Sequence, residues 1–234
     1  MNKDKLYEKK ARLYPVIVAM LMPLLLIIYL SSRIIATLNQ LEEIWNIAIS
    51  IIPATLITGA LTYGVKSLSR STSKALFQFP LFKENETKMP TTESILWKNN
   101  FLSKQNINRI HEKIHSDLGL ELLSEEQEQN DEEQARLIIA DAVKQIREKT
   151  RDNIILFNYN CNFGFIRNYM GASIWAFVIV LVIGILNVVS SLIDNRLFLI
   201  VLLLILISFP ISLLIMKQNG REYARQLFTA YLEL

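Results

Sequence analysis

Residues 168–216 read NYMGASIWAFVIVLVIGILNVVSSLIDNRLFLIVLLLILISFPISLLIM. They form two runs without a charge, Asn168–Ile193 and Leu197–Met216, parted only by Asp194-Asn195-Arg196. Each suffices for the roughly 20 residues that a helix needs to cross a hydrocarbon core of about 30 Å. Two earlier runs, Leu13–Ser32 and Ile44–Val65, are similar in length and equally free of charge. A water-soluble domain has no use for four such stretches. The fold class expected is therefore an all-α membrane protein, with four transmembrane helices, two plus two, around a small cytosolic helical module. Its segments are a basic cytosolic N-terminus (1–13), a transmembrane hairpin (14–65), the cytosolic module (66–171), a second hairpin (172–216) and a cytosolic amphipathic tail helix (217–234).

Composition supports this segregation, since 51% of residues are hydrophobic while 20% are charged. A formal charge of +3 gives no case for nucleic-acid binding, and the single cysteine, Cys161, excludes an internal disulfide framework or a Cys-based zinc cage. The first run follows basic residues but lacks a small-residue cleavage site, so it reads as a retained anchor. Lys3, Lys5, Lys9, Lys10 and Arg12 precede it; Lys66, Arg70 and Lys74 follow the second run. Arg167 precedes the third, and Lys217, Arg221 and Arg225 follow the fourth. The two short links hold only Arg33 and Arg196, with Glu42, Glu43 and Asp194. By the positive-inside rule both termini and the module are cytoplasmic. Tyr14, Trp45 and Trp175 near run ends suit the membrane interface.

Pro23, Pro53 and Pro210 fall inside the first, second and fourth runs and are read as helix kinks. Small and polar residues of the second run (Ser50, Thr55, Thr58, Gly59, Ala60, Thr62, Gly64) suit close helix packing. Asn46, Asn187, Ser190 and Ser191 lie toward outer ends, where they serve either packing or a polar line along a pore. No Asp, Glu or Lys lies deep in a run, so a proton relay has no visible chemistry.

In the module, Phe77, Phe79, Pro80, Leu81 and Phe82 predict an irregular segment on aromatic anchors, followed by a polar turn at Glu84–Lys88. Ser103 is placed to cap a helix to Leu118, with Ile107, Ile110, Ile114 and Leu118 at helical spacing and Gly119 as its stop. A second helix starts near Ser124 or Asp131, carries Ala135, Ile138, Ile139, Ala142, Val143 and Ile146 as its stripe, and continues to Phe157. The acidic run Glu125–Glu133 reads as a solvated first turn favoured by the helix dipole rather than a cation site.

His111-Glu112-Lys113-Ile114-His115 fits H-E-x-x-H, in which two histidines share a zinc ion and the glutamate activates water. That makes a membrane zinc metallopeptidase, with His111 and His115 as ligands and Glu112 as base, the alternative reading. Against it stand Arg109 and Lys113 beside the ligands and the lack of any further histidine. The simpler reading buries Ile107, Ile110 and Ile114 and leaves both histidines partly wet. No catalytic residue and no cofactor is then expected.

Asn158-Tyr159-Asn160-Cys161-Asn162-Phe163-Gly164-Phe165-Ile166-Arg167-Asn168 leads into the third run. Asparagines turn and cap chains, and Gly164 permits a tight path. The stretch reads as an elbow, with Asn160, Gly164, Phe165, Arg167 and Asn168 as candidate gating residues. After Gly220, Tyr223, Leu227, Tyr231 and Leu234 form the apolar face of the tail helix, free to pack on the module, pair with another copy or lie on the membrane.

Pro90-Thr91-Thr92, Thr150-Arg151-Asp152, Gly164-Phe165-Ile166-Arg167-Asn168 and Tyr223-Ala224-Arg225-Gln226-Leu227 together resemble a family of poorly characterised bacterial four-span membrane proteins. These share the two-plus-two arrangement around a cytosolic insert. The layout is also similar to the four-span effectors of bacterial antiphage operons, in which a cytosolic signal triggers membrane damage. The resemblance implies a non-enzymatic effector that oligomerises and permeabilises the membrane. Its partners would be the lipid bilayer, further copies of itself and a cytosolic trigger, a small signalling molecule or a protein. A scaffold recruiting a soluble partner is a further alternative.

Overall fold

The computed structural model describes residues 3–37, 54–191 and 193–234, and among these every regular element is helical. Side chains are described for them except at 31–37, 54–62 and 189–190. Residues 44–53 of the run 44–65, with Trp45, Asn46 and Pro53, therefore lie outside the described residues, as do the side chains of Arg33 and Ser190. Among the described residues three helices are long and apolar enough to cross a membrane, Lys3–Leu30, Ile154–Val188 and Asn195–Leu232. Leu25, Ile28, Ile185, Leu186 and Leu203 on them are all more than half exposed. So wide an apolar belt calls for lipid rather than water, and the architecture is that of a membrane-embedded, multi-pass protein.

The chain divides into two compact units. The apolar unit comprises Met1–Lys74 and Phe165–Leu213. Here α1 (Lys3–Tyr7), a π-helical turn (Glu8–Leu13) and α2 (Tyr14–Thr37) follow without a break. Pro15 has no N–H for the carbonyl of Ala11 four residues earlier. The π turn, with the Tyr14 N–H bonded to the Lys9 carbonyl, lies at this gap in the α ladder. Beside it stand α3 (Ala54–Ser73) and the apolar stretches of two long helices that are given labels with the charged unit below. Pro23 and Pro210 both sit inside helices, as the sequence suggests.

Packing in this unit depends on small residues. A Cβ placed on Gly171 would overlap the Ser69 carbonyl oxygen and lie 2.8 Å from Ser73 Cβ, so only glycine lets these two backbones meet. Leu26, Ala176, Val180, Ile183, Val201 and Ile205 fill the core between spans. The tight connection after Ser190 is closed by Asn187: its amide donates to the Ile193 carbonyl at 3.0 Å and accepts the Ile193 N–H at 2.7 Å. Asn187 is thus a turn clamp, the packing reading of the two open for it, while Ser191 beside it takes the left-handed conformation at φ 51°.

The charged unit comprises Ala75–Gly164 and Leu214–Leu234. Contrary to the irregular path expected around Pro80, Lys74–Gln78 is a π-helical turn continued by α4 (Phe79–Phe82), with Pro80 at the helix start where its missing N–H costs nothing. A short α5 (Pro90–Glu93) follows, then α6 (Lys104–Leu118), capped by the Ser103 hydroxyl and ended by Gly119 at φ 64°. The second expected helix is in fact two: α7 (Glu125–Asn130), with a full capping box from Ser124 and Gln127, and α8 (Glu132–Lys149), capped by Asp131. Nor does α8 reach Phe157. It ends at Lys149, and Asn153 starts α9 (Ile154–Ser190) by accepting the N–H groups of Ile155 and Leu156 at 2.9 and 3.0 Å.

The final helix, α10 (Asn195–Leu232), passes through Gly220 without the restart that the sequence suggests there. Gly220 instead makes room for Pro90, whose Cγ would lie 2.9 Å from an added Cβ. Leu227, Phe228 and Tyr231 of α10 join Ile110 and Ile114 of α6, Ile139, Val143 and Ile146 of α8, and Ile95 and Leu96 in one core. At about 1.5 Å per residue, α9 and α10 are each about 55 Å long, well beyond the roughly 30 Å that a span needs. Both contribute residues to each unit.

Candidate functional site

The stretch predicted as an elbow is helical throughout, and the turn lies upstream at Thr150–Asn153. Asparagine and glycine inside an apolar-flanked helix are tolerated because the neighbouring chain satisfies or contacts them. Asn160 is exposed, Gly164 is buried, and Phe165 stacks on Tyr169 one turn on, ring centroids 6.5 Å apart. The five candidate residues are therefore strung along one helix face after another rather than gathered at a hinge.

Two of them do converge, with groups that the sequence reading had not joined to them. Asn168, 1% exposed, donates its amide N–H to the Ala11 carbonyl at 2.6 Å, four residues before Pro15, which has no N–H to give it. Arg167 donates to the Tyr7 hydroxyl and lies within electrostatic reach of Arg12 and Arg70. Glu8 pairs with Arg12 at 2.7 Å and with Lys66. Arg12 also stands 5.7 Å from the Tyr7 ring centre, and Lys66 5.7 Å from that of Tyr63. Trp175 Nε1 donates to Thr72 Oγ1 at 3.0 Å. The result is a collar of cations from three helices, Arg12 and Lys66 paired with Glu8, and Arg167 within electrostatic reach of Arg12 and Arg70.

The H-E-x-x-H residues have separate surroundings. His111 is buried, not half-wet as expected: Nε2 lies 2.7 Å from the Ile95 carbonyl, and the ring meets Trp97 edge-on at 4.6 Å. Burial pushes its pKa below the ordinary 6.5, which the bond to Ile95 only partly offsets, so the neutral ring donates to that carbonyl. His115 and Glu112 are exposed, and Glu112 accepts from Asn108 Nδ2 at 2.6 Å. No group of three or more His, Cys, Asp or Glu able to hold a metal occurs among the described residues.

The acidic run is less solvated than expected. Glu128, 3% exposed, accepts the backbone N–H groups of Trp97 and Lys98 at 3.1 and 3.3 Å. Glu132 pairs with Lys98 and Arg136, which hold its carboxyl below the usual range. Arg136 also donates to the Thr87 carbonyl at 2.7 Å. Arg147 bonds Glu86 at 2.7 Å and Thr91 Oγ1 at 3.3 Å. These two arginines of α8 strap the segment 86–93, with its left-handed Glu86 (φ 62°), to the helical core.

No protein-family model, curated protein or solved structure matches the chain.

Proposed function

We propose that the chain is a non-enzymatic effector of a bacterial inner membrane. In this reading both termini and the charged unit face the cytoplasm, and the run 44–65 completes a fourth span. A cytosolic trigger, a small signalling molecule or a protein, repacks the charged unit; copies of the chain then associate and permeabilise the bilayer.

One observation carries the reading. The helices that cross the apolar unit, α9 and α10, are the same unbroken helices that give Leu156, Leu227, Phe228 and Tyr231 to the core of the charged unit. A trigger that favours one packing of that core acts on residues of the spanning helices themselves, which is what a population shift needs to reach the membrane. The basic flanks support the orientation, and the similar layout of four-span antiphage effectors supports a role in defence.

Expression in bacteria carrying a potential-sensitive dye, with and without phage challenge, tests the proposal. Depolarisation and entry of a membrane-impermeant dye ahead of growth arrest are expected. An intact potential while the chain is abundant in the membrane refutes it and favours a scaffold.

A further inference from the structure

We propose that Arg12, Lys66, Arg70 and Arg167 form a binding site for the phosphate of an anionic phospholipid headgroup.

Position is the first argument. Arg12 directly precedes the charge-free run Leu13–Ser32, Lys66 directly follows Ile44–Val65, and Arg167 directly precedes Asn168–Ile193. Three helices thus each place a cation at the boundary of their own apolar run, and the fold brings these boundaries together. The Asn168–Ala11 bond, the Glu8 pairs to Arg12 and Lys66, and the Gly171–Ser69 approach hold them at one level. Lipid phosphates lie at that level of a bilayer, and Tyr14 and Tyr63, about half exposed or more, are the amphipathic rings that favour it.

Charge is the second. Glu8 brings one negative charge to four positive ones, leaving these five side chains at +3. Arg12 and Arg70 act on Arg167 as like charges. Guanidinium groups suit a phosphate, because each planar fork can give two N–H bonds to its oxygens. The side chains of Arg12 and Lys66 are 30% and 22% exposed, partly sheltered yet open to a headgroup. Exposed Lys9 and Lys10 add attraction to an anionic surface. Zwitterionic lipid offers the same phosphate with an amine attached, which the collar repels; preference for a phosphodiester without a compensating amine follows.

The site needs only the membrane-embedded architecture and does not depend on the effector role. The test is the full chain in nanodiscs of phosphatidylcholine, with or without phosphatidylglycerol, read by melting temperature and by lipid retained in native mass spectrometry. Phosphatidylglycerol should raise the melting temperature and be retained preferentially. Arg70→Gln, at an exposed side chain, and Arg167→Gln should each lower retention about fivefold; Arg167→Lys should keep most of it, and Lys104→Gln, far along the chain in the charged unit, all of it. Equal melting and retention in both lipids overturns the proposal, as does unchanged retention in Arg70→Gln and Arg167→Gln. If inorganic phosphate alone reproduces the stabilisation in phosphatidylcholine, the ligand is a free anion and the headgroup assignment falls.

Discussion

Asn168→Ala removes the side-chain donor to a carbonyl that stands four residues before a proline. Asn168 and Ala11 are 1% and 0% exposed, so water has no path to replace the 2.6 Å bond. Leaving a buried carbonyl without a donor costs about 1–3 kcal/mol, or roughly 5- to 150-fold in the folding equilibrium. Hydrogen bonds between membrane helices average only about 0.6 kcal/mol, which sets the floor. Position at the edge of a run, in an ordered pair of buried groups, argues for the upper part of that interval. The causal claim is that Asn168 substitutes for the N–H missing at Pro15, and a double-mutant cycle isolates it. Pro15→Ala restores a backbone donor to Ala11, so Asn168→Ala should cost about 1 kcal/mol less in that background. Equilibrium unfolding of the detergent-solubilised chain by dodecyl sulfate, followed through tryptophan fluorescence, measures all four corners. Costs that add within about 0.3–0.5 kcal/mol would show the two residues to be independent and refute the reasoning.

Gly171→Ala should destabilise the apolar unit by about 1–3 kcal/mol through overlap with the Ser69 carbonyl, lowering the melting temperature in detergent. Gly64→Ala, at a helical glycine with nothing within 4 Å of the added Cβ, should leave it unchanged or raise it. His111 binds a proton less readily folded than unfolded, where its pKa is about 6.5. Its contribution to stability is therefore complete above about pH 6.5 and lost as the pH falls toward the lower folded value. Melting of the wild type should drop across that window, and His111→Gln, which keeps a donor for Ile95, should flatten the drop. Glu128→Ala strands the amides of Trp97 and Lys98 and should cost about 1–3 kcal/mol, read by amide exchange at those two positions.

What the sequence makes legible follows from which forces are local. Charge-free runs longer than 18 residues declare themselves, because hydrocarbon admits no other reading. The Ser103 and Gly119 boundaries of α6 were equally visible, since caps act within one turn. Asn153 carries the same kind of signal, but the hydrophobic spacing of α8 runs on past it; a cap outweighs a stripe when the stripe's next residues face solvent, as Ile154 and Ile155 do at more than half exposure. His111 and Glu128 were misjudged for a different reason. Their partners, Ile95 and the amides of Trp97 and Lys98, lie 16 to 31 residues away. Nothing in the spacing of α6 or α7 announces a carbonyl or an amide waiting across the core.

The collar lies between these cases. Arg12, Lys66 and Arg167 were each visible as flanks of an apolar run, and the positive-inside rule asks only on which side they fall. That they meet is a tertiary fact, resting on Pro15, Asn168, Gly171 and Ser69, none of them charged. The Asn168 amide bonds the Ala11 carbonyl near Pro15, and the missing Cβ of Gly171 lets α3 approach α9. Each uncharged residue thereby moves a cation closer to its neighbours, against their mutual repulsion. A fold that spends backbone hydrogen bonds and close packing to concentrate positive charge at the lipid boundary makes sense if that boundary supplies the counter-charge. The same interactions that would assemble the apolar unit then depend on the headgroup composition around it, so its stability should follow the anionic lipid content of the membrane.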